Sequence, residues 1–170
     1  MSPPTASEIV LTVKIPGGYE RYVIPVETID SWIKLVNVIQ SIYRGEPSPR
    51  VWFPGMIVEV SPEAWPGQVF AGHMYFITLE VSLHLRIEHF DIEFSGPKWI
   101  DLPNVAFTST IANVAMLIHK KLEVLVEMDQ LRVSLMGYWG DVIPGQHQLT
   151  RYNYRNKCCI VCRLDRATRD

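Results

Sequence analysis

The beginning of the chain changes from a two-residue to a helical hydrophobic pattern. Glu8 to Ile15 alternates between apolar and polar positions, which is the period of a half-buried strand. A proline and two glycines then supply turn residues, and Tyr19 to Val26 can return as an antiparallel partner. From Thr28, a candidate cap, apolar residues recur every three or four positions until Gly45, a stop signal. The pattern predicts a hairpin followed by a helix over about 28–44.

The middle of the chain has the pattern of several strands. Arg50 to Glu93 is rich in Val, Ile, Phe and Trp, is interrupted by Pro-Gly pairs and contains no helical period. The clearest alternation runs from His84 to Phe94, where the apolar phase slips by one residue. This slip predicts a β-bulge near His89, and Gly96-Pro97 ends the strand.

A second helical pattern follows later in the chain. It ends in Lys120 and Lys121, which suit the negative end of a helix dipole, and it predicts a helix over about 109–122. Leu122 to Met128 fits either a continuation of this helix or a strand, and residues 131–138 alternate as a final strand. The order of elements predicts a single α+β domain, with a mainly antiparallel sheet and two principal helices packed on it.

Composition fits a compact fold. Hydrophobic residues make up 48% of the 170 positions, and charged residues make up 20%, against about 25% in typical domains, so disorder is not expected. The longest uncharged stretch is broken by polar residues and a proline, which argues against a membrane span. The first residues have neither a basic region nor an apolar core, so a secretion signal is not expected.

Charge divides the chain more sharply than composition does. Residues 1–150 contain 10 Lys/Arg and 16 Asp/Glu, whereas residues 151–170 contain 6 Lys/Arg and 2 Asp/Glu. We therefore predict a short disordered arm over 1–7, a domain over 8–150 and a basic tail over 151–170. An acidic body argues against direct, sequence-specific binding of nucleic acid, which needs clustered cations on a folded face.

Three cysteines, Cys158, Cys159 and Cys162, lie together in this tail. Zinc would need a distant histidine as a further ligand and a redox CxxC belongs at a helix start, so neither a metal nor any cofactor is predicted. Adjacent cysteines in a basic segment are typical of S-acylation, and packing of a short apolar segment is the alternative. The basic residues expected to contact an anionic membrane or a nucleocapsid are Arg151, Arg155, Lys157, Arg163, Arg166 and Arg169.

The sequence contains no recognisable catalytic motif. It lacks HxH and HExxH patterns, a GxSxG elbow and a glycine-rich phosphate loop, so no catalytic residue and no enzyme are predicted. The carboxylates of the strand over 84–94 are interpreted as a solvated face. An enzyme would need a deep pocket that unites Glu88 or Asp91 with His84 or His89.

Aromatic residues crowd positions 52–76, a segment that is also rich in proline and glycine. Such a segment offers few long elements in which to bury them, so part of this surface is expected at a contact with another molecule. The alternative is a core spread over several short strands. The residues expected in a self-association contact are Trp52, Phe53, Trp65 and Phe70.

The order of these patterns resembles the matrix proteins of rhabdoviruses, especially the short type found in plant-infecting members. The resemblance is carried by the strand Glu8–Ile15, the helix Ile29–Val36 running into Tyr43-Arg44-Gly45, the strands Met74–Val81 and Leu85–Ile87, and the late helix leading into Leu131–Trp139. It covers most of residues 8–140. Two features depart from the family pattern: no lysine precedes Lys14, where such proteins carry a Lys-rich arm, and Pro3-Pro4-Thr5-Ala6-Ser7 completes neither a PPxY nor a PTAP motif.

The resemblance implies a structural, non-enzymatic protein that self-associates into an open, non-closing layer between nucleocapsid and lipid envelope. Its implied partners are further copies of itself, the viral nucleoprotein in the nucleocapsid, and anionic membrane. Its implied location is the virion beneath the envelope, with host cytoplasm and inner membrane surfaces during assembly. The alternative is a cytoplasmic protein-interaction module or host-defence suppressor that acts as a discrete dimer.

Overall fold

The computed structural model describes residues 7–55, 57–90, 92–122, 131–155 and 159–166. They form an α+β fold with one mixed, mostly antiparallel sheet, which confirms the predicted fold class. The strands are β1 (Glu8–Ile15), β2 (Gly18–Pro25), β3 (Ser48–Trp52), β4 (Glu59–Val60), β5 (Met74–His89), β6 (Trp99–Ala106), β7 (Leu131–Gly137) and β8 (Ile160–Arg166), and the helices are α1 (Trp32–Ile42), α2 (Trp65–Gln68) and α3 (Ile111–Leu122).

The chain divides into two compact units. Unit 1 comprises Met1–Val81 and Ala106–Thr108, and unit 2 comprises Ser82–Val105 and Ser109–Asp170. The long strand β5 contributes its first half to unit 1 and its second half to unit 2. Every odd-numbered side chain of β5 from Tyr75 to Ile87 is buried, so one alternating strand supplies core residues to both units.

The sheet of unit 1 is built around β1. This strand forms the predicted hairpin with β2, with Glu8 opposite Pro25, and it lies parallel to the start of β5, with Val10 opposite Met74. On the other side of β5, β3 runs antiparallel and pairs in turn with the short β4. Because five successive residues of β1, Ile9–Val13, are buried, both faces of this strand are covered.

The helices of unit 1 depart from the prediction at two places. Helix α1 begins at Trp32 instead of near Thr28, because the extended Ser31 caps it by accepting the Lys34 N–H at 3.4 Å. Thr28 belongs to a preceding 3₁₀ turn. A single helical turn, α2, also interrupts the segment expected to contain only strands, and it accommodates a proline in its first turn, where no backbone donor is lost.

Unit 2 contains the second half of β5, with β6 and β8 as partners. β8 lies parallel to β5, with Arg86 opposite Val161, and pairs antiparallel with the whole of β7. Helix α3 matches the predicted second helix, and its buried residues are Ile111, Val114, Ile118 and Leu122. Leu131–Gly137 forms the predicted strand after it, whereas residues 123–130 lie outside the described part of the chain.

Three further expectations for unit 2 change. β5 pairs in regular register with β8 up to His89, where the strand ends, and the Phe90 N–H completes this ladder by donating to the Leu164 carbonyl at 3.1 Å. The predicted bulge near His89 is therefore wrong on the side of β5 that faces β8. The residues after Gly96-Pro97 form β6, a strand that was not predicted. The alternation of exposed and buried side chains along β6 is interrupted at Asn104, whose φ is 58°. Ile160–Arg166 is a strand of the sheet instead of part of a separate basic tail.

Candidate binding cleft

Trp65, one of the four aromatics expected in a self-association contact, is a core residue of unit 1. Its side chain is 0% exposed and its indole Nε1 donates to the Ile29 carbonyl oxygen at 2.7 Å. Its ring packs edge-on against Tyr75, with centroids 5.2 Å apart, and against Trp32 at 6.4 Å. Trp65 therefore offers no surface to another molecule, and the alternative of an internal aromatic core describes it correctly.

The other three predicted aromatics are partly accessible. Trp52 is half-buried, donates through Nε1 to Thr78 at 3.0 Å and lies under the Arg50 guanidinium. Phe53 is half-buried against the Tyr75 ring, and Phe70 remains 47% exposed. Of the predicted contact set, Phe70 presents the most surface.

Among the described residues of unit 1, the most exposed apolar side chain lies between β3 and β4. The two strands are joined by a hairpin in which the Phe53 N–H donates to the Val58 carbonyl oxygen at 3.0 Å. Ile57 is 86% exposed and Val58 is 56% exposed. We call Ile57 and Val58 the hairpin tip. Aliphatic side chains at such exposure gain little from the core of their own unit, and two adjacent ones form a small apolar patch.

The cysteine-containing segment is mostly built into unit 2. Cys162 is fully buried in β8, and burial raises the pKa of its thiol to about 12, so this residue does not fit the predicted S-acylation. Cys159 is a free, half-buried thiol. Cys158 and two of the predicted basic contacts, Lys157 and Arg169, lie outside the described residues.

The remaining basic residues of this segment differ in their surroundings. Arg163 is half-buried and its Nε donates to Asp165 at 2.8 Å, which neutralises much of its charge. Arg155 is exposed. Burial raises the pKa of Tyr154, and the positive charge of Arg155 offsets part of that rise. Arg151 and Arg166 are exposed as well, so these two residues and Arg155 are the described members of the predicted set best placed to contact an anionic surface.

A cleft of about 1060 Å³ opens in unit 2 where β5, β7 and β8 meet the start of β6, and we call it the strand-end cleft. Its apolar lining includes Phe90, Phe94, Pro97, Met136 and Val161. A Cβ atom at Gly96 would overlap the Phe94 ring, so glycine is required for the ring to lie over the backbone there. The volume is at the upper end of the range for ligand sites in proteins.

An aromatic turn forms one rim of the strand-end cleft. The Gly137 N–H donates to the Asp141 carbonyl at 2.9 Å, and Gly140, with φ of 80°, closes the turn in the left-handed region. The turn presents Tyr138 and Trp139, whose rings meet edge-on at 5.0 Å; Trp139 is 85% exposed. The sequence contains the signal for this feature, an aromatic pair enclosed by two glycines, but its exposure was not predicted.

The charged lining of the strand-end cleft is mainly cationic: Arg86, Lys98 and Arg163 against Glu88. Arg86 and Glu88 lie 3.4 Å apart and are both more than half exposed, so their attraction is weakened by water. The Arg163 guanidinium lies over the Phe90 ring at 5.2 Å, a cation–π arrangement. Lys98 is exposed and makes no ion pair within the described part of the chain. An acidic, apolar ligand would fit this lining.

The residues that an enzyme would need are divided between two places. Glu88 and His89 both line the cleft, but they are consecutive in β5 and therefore point to opposite faces of the strand. The His84 ring stacks on the Trp99 ring with centroids 4.8 Å apart, and its Nδ1 is hydrogen-bonded to the Asp101 carboxylate. The backbone oxygen of Asp101 accepts a hydrogen bond from Lys121 Nζ. Asp91 lies outside the described residues. The described residues include no cluster of three or more metal-ligating side chains.

Comparison with protein-family models and with curated protein sequences found no match for this chain. Within the described residues, none of the helices has the length and apolar character needed to cross a bilayer.

Proposed function

We propose that this chain is a structural protein of the viral-matrix type that self-associates into an open layer between a nucleocapsid and a lipid envelope. The observation that carries the proposal is that each unit exposes an apolar surface of its own: the hairpin tip in unit 1, and the aromatic turn beside the strand-end cleft in unit 2. The sequence resemblance over most of residues 8–140 and the α+β fold support the same class of protein.

Two separate apolar surfaces are what an open assembly requires. A protein with one self-complementary surface closes as a dimer, because both partners then have their surface covered. A second surface lets each copy contact two neighbours, and the contact then repeats as an open assembly when the rotation between copies does not close a ring. Covering a large apolar side chain such as Ile57 or Trp139 contributes on the order of 1.5–3 kcal/mol, so a few such residues suffice for repeated weak contacts.

Sedimentation velocity over a wide concentration range, followed by electron microscopy, tests the proposal. We expect the sedimentation coefficient to rise with concentration without a plateau, and filaments or sheets to appear. Trp139→Ser should shift the rise to higher concentration. Ile33→Ser is the matched control, because Ile33 is 72% exposed on α1 and belongs to neither surface. A single monomeric species at every concentration would contradict the proposal.

Contact with the envelope is assigned to the exposed Arg151 and Arg166. Each cation near an anionic bilayer contributes about 1 kcal/mol to binding. We expect the double variant Arg151→Glu, Arg166→Glu to lose flotation with phosphatidylserine vesicles. The matched control, Lys14→Glu with Arg44→Glu, reverses two exposed charges of unit 1 and should float as the unmodified chain does. Equal flotation of both double variants would remove the assignment. Truncation at residue 150 is unsuitable, because it also deletes β8.

The alternative function, a protein-interaction module acting as a discrete dimer, is favoured by one observation. The strand-end cleft is large enough to seat a segment of a partner protein without any repeating contact. Sedimentation separates the two functions, since a module of this kind reaches a plateau at two copies.

A further inference from the structure

The hairpin tip and the strand-end cleft both expose apolar surface. The tip has two exposed aliphatic side chains, Ile57 and Val58. The cleft is a concave surface with an apolar lining that includes Phe90 and Met136. The aliphatic side chains of the hairpin tip and the apolar lining of the cleft can cover each other's exposed apolar surface.

Charge favours the same match. Unit 1 contains eight Asp/Glu and five Lys/Arg among its residues, so its net charge is −3. Among its described residues, the strand-end cleft is lined by Arg86, Lys98 and Arg163 against Glu88. Glu88 and Asp165 pair with the two arginines, so Lys98 is the cation of this lining that makes no ion pair within the described residues. The Glu59 carboxylate, next to the tip, forms an ion pair with Arg50 at 2.6 Å. The negative electrostatic field therefore comes from unit 1 as a whole and not from one carboxylate at the tip. Such a field speeds association and depends on ionic strength.

We infer that the strand-end cleft of one copy receives the hairpin tip of a second copy, so that the layer grows by head-to-tail contact; this inference rests on the proposed self-association. In such a contact the first copy still has a free tip and the second copy still has a free cleft. Each addition therefore recreates both surfaces, and growth continues as an open assembly when the rotation between neighbouring copies does not close a ring. Pairing of tip with tip, or of cleft with cleft, would instead create symmetric contacts.

A mixing experiment distinguishes head-to-tail from symmetric contact. Ile57→Asp disables the tip, and Phe90→Asp disables the cleft by replacing an exposed aromatic residue and neutralising the neighbouring Arg163. Each variant alone should raise the apparent dissociation constant of self-association at least tenfold. An equimolar mixture should form a one-to-one complex and nothing larger, because only one intact tip and one intact cleft can meet.

Controls keep each outcome decisive. Both variants change exposed side chains, and circular dichroism with urea unfolding should match the unmodified chain. Ile33→Asp, an equally polar change at an exposed site outside both surfaces, should leave assembly unchanged. Lys98→Glu should weaken assembly severalfold at low salt and less at high salt, because it reverses one charge of the cleft.

Three results would overturn the inference or the proposal beneath it. If the unmodified chain assembles but the mixture of Ile57→Asp and Phe90→Asp contains no one-to-one complex, the head-to-tail contact is wrong and the self-association stands. If either variant assembles as the unmodified chain does, its surface is not part of the contact. If the unmodified chain remains monomeric, the proposed function itself fails.

Discussion

Trp65 in unit 1 and Trp139 in unit 2 illustrate two uses of the same residue type. The Trp65 ring is 0% exposed, it packs between other aromatic rings, and its N–H is paired with a backbone carbonyl. Trp139 is 85% exposed in a tight turn and contacts Tyr138 edge-on. Buried indole groups need a partner for the N–H, whereas exposed ones can bond to water.

The difference teaches that aromatic crowding along a sequence does not report exposure. Unit 1 has the denser aromatic segment, and most of it is internal because Tyr75 in β5 serves as a central ring for Trp65, Phe53 and His73. Unit 2 has fewer neighbouring aromatics, and a turn too short to fold back on the sheet holds two of them in water. The most exposed tryptophan of the described residues therefore lies at a turn, outside the segment in which aromatic residues are densest.

The largest effect that separates the two tryptophans is on stability. We expect Trp65→Ala to lower the free energy of unfolding by about 3–5 kcal/mol, because it leaves a large cavity and an unpaired Ile29 carbonyl. Trp139→Ala should stay within about 0.5 kcal/mol of the unmodified chain. Urea unfolding followed by circular dichroism measures both. Trp65→Phe keeps an aromatic ring but removes the N–H donor, and it should lower the free energy of unfolding by about 1–3 kcal/mol. This variant serves as the test if Trp65→Ala does not fold. Similar losses of unfolding free energy for the two alanine variants would contradict the contrast between a buried Trp65 and an exposed Trp139.

The two described cysteines of the CxxC segment differ in the same way, since Cys162 is buried and Cys159 is half-buried. Because the pKa of the Cys162 thiol is raised to about 12, only on the order of one thiol in ten thousand is ionised at pH 8. We expect iodoacetamide at pH 8 to label Cys159 at least a hundredfold faster than Cys162 in the folded chain, as measured by mass spectrometry. In urea both should react at similar rates, and comparable rates in the folded chain would show that β8 opens readily.

The raised pKa of Cys162 also sets the direction of a pH effect. The folded thiol holds its proton to higher pH than the unfolded thiol, whose ordinary pKa is 9.0. Its contribution to stability is therefore complete below about pH 9 and decreases as pH rises toward the folded value. Cys162→Ala should reduce this decrease in urea unfolding measured between pH 8 and pH 11.

A smaller effect tests whether the aromatic turn of unit 2 is a defined structure. Gly140→Ala places a side chain at φ of 80°, which should cost about 1–2 kcal/mol. Gly18→Ala is the control, since that glycine has no positive φ and faces open space. Thermal unfolding compares the two. A neutral Gly140→Ala would indicate that the turn adapts at little cost and does not hold Tyr138 and Trp139 in a fixed arrangement.

The smallest effect concerns a polar edge of unit 1. The hydroxyls of Tyr22 and Tyr43 donate to the Glu20 carboxylate at 2.5 Å and 2.6 Å and lower its pKa. We expect Tyr43→Phe to raise the pKa of Glu20 in an NMR titration, and the Tyr19→Phe control to leave it unchanged. Because the folded pKa is lowered, the associated stability is present above the ordinary value of 4.5 and is lost as pH falls through the folded value. An unchanged titration in Tyr43→Phe would contradict the paired-hydroxyl arrangement.

The elements of the fold that could be predicted are those with a regular hydrophobic periodicity bounded by turn residues. The β1–β2 hairpin, α3 and β7 have regular periodicity and clear turn signals, and their positions match the prediction. β6 was missed because Pro97 and Pro103 suggest a loop, and its partner, β5, is identified only by tertiary pairing. β8 was missed because its charges suggest a solvated tail, although Ile160, Cys162 and Leu164 alternate as a strand.

The candidate site was less predictable than the fold. The strand-end cleft joins residues from β5, β6, β7 and β8, which are distant in sequence, so no local motif contains it. The hairpin tip and the aromatic turn do have local signals, glycines next to apolar residues, but exposure depends on what the rest of the unit covers. Trp65 shows the converse, since its burial depends on Ile29 and Tyr75, far from it along the chain.

The strand β5 imposes an order on synthesis. Its first half finds partners in β1 and β3, which precede it, whereas its second half must wait for β8 to complete the parallel pairing of Arg86 with Val161. At ordinary translation rates the intervening segment takes roughly 4–15 s to emerge, and throughout that time the residues of β5 that pair with β8, Arg86 to His89, have one edge unpaired. The strands of unit 1 can therefore pair while synthesis continues, whereas the unpaired edge of β5 in unit 2 is open during those seconds to pairing with another nascent chain, and faster synthesis shortens that exposure.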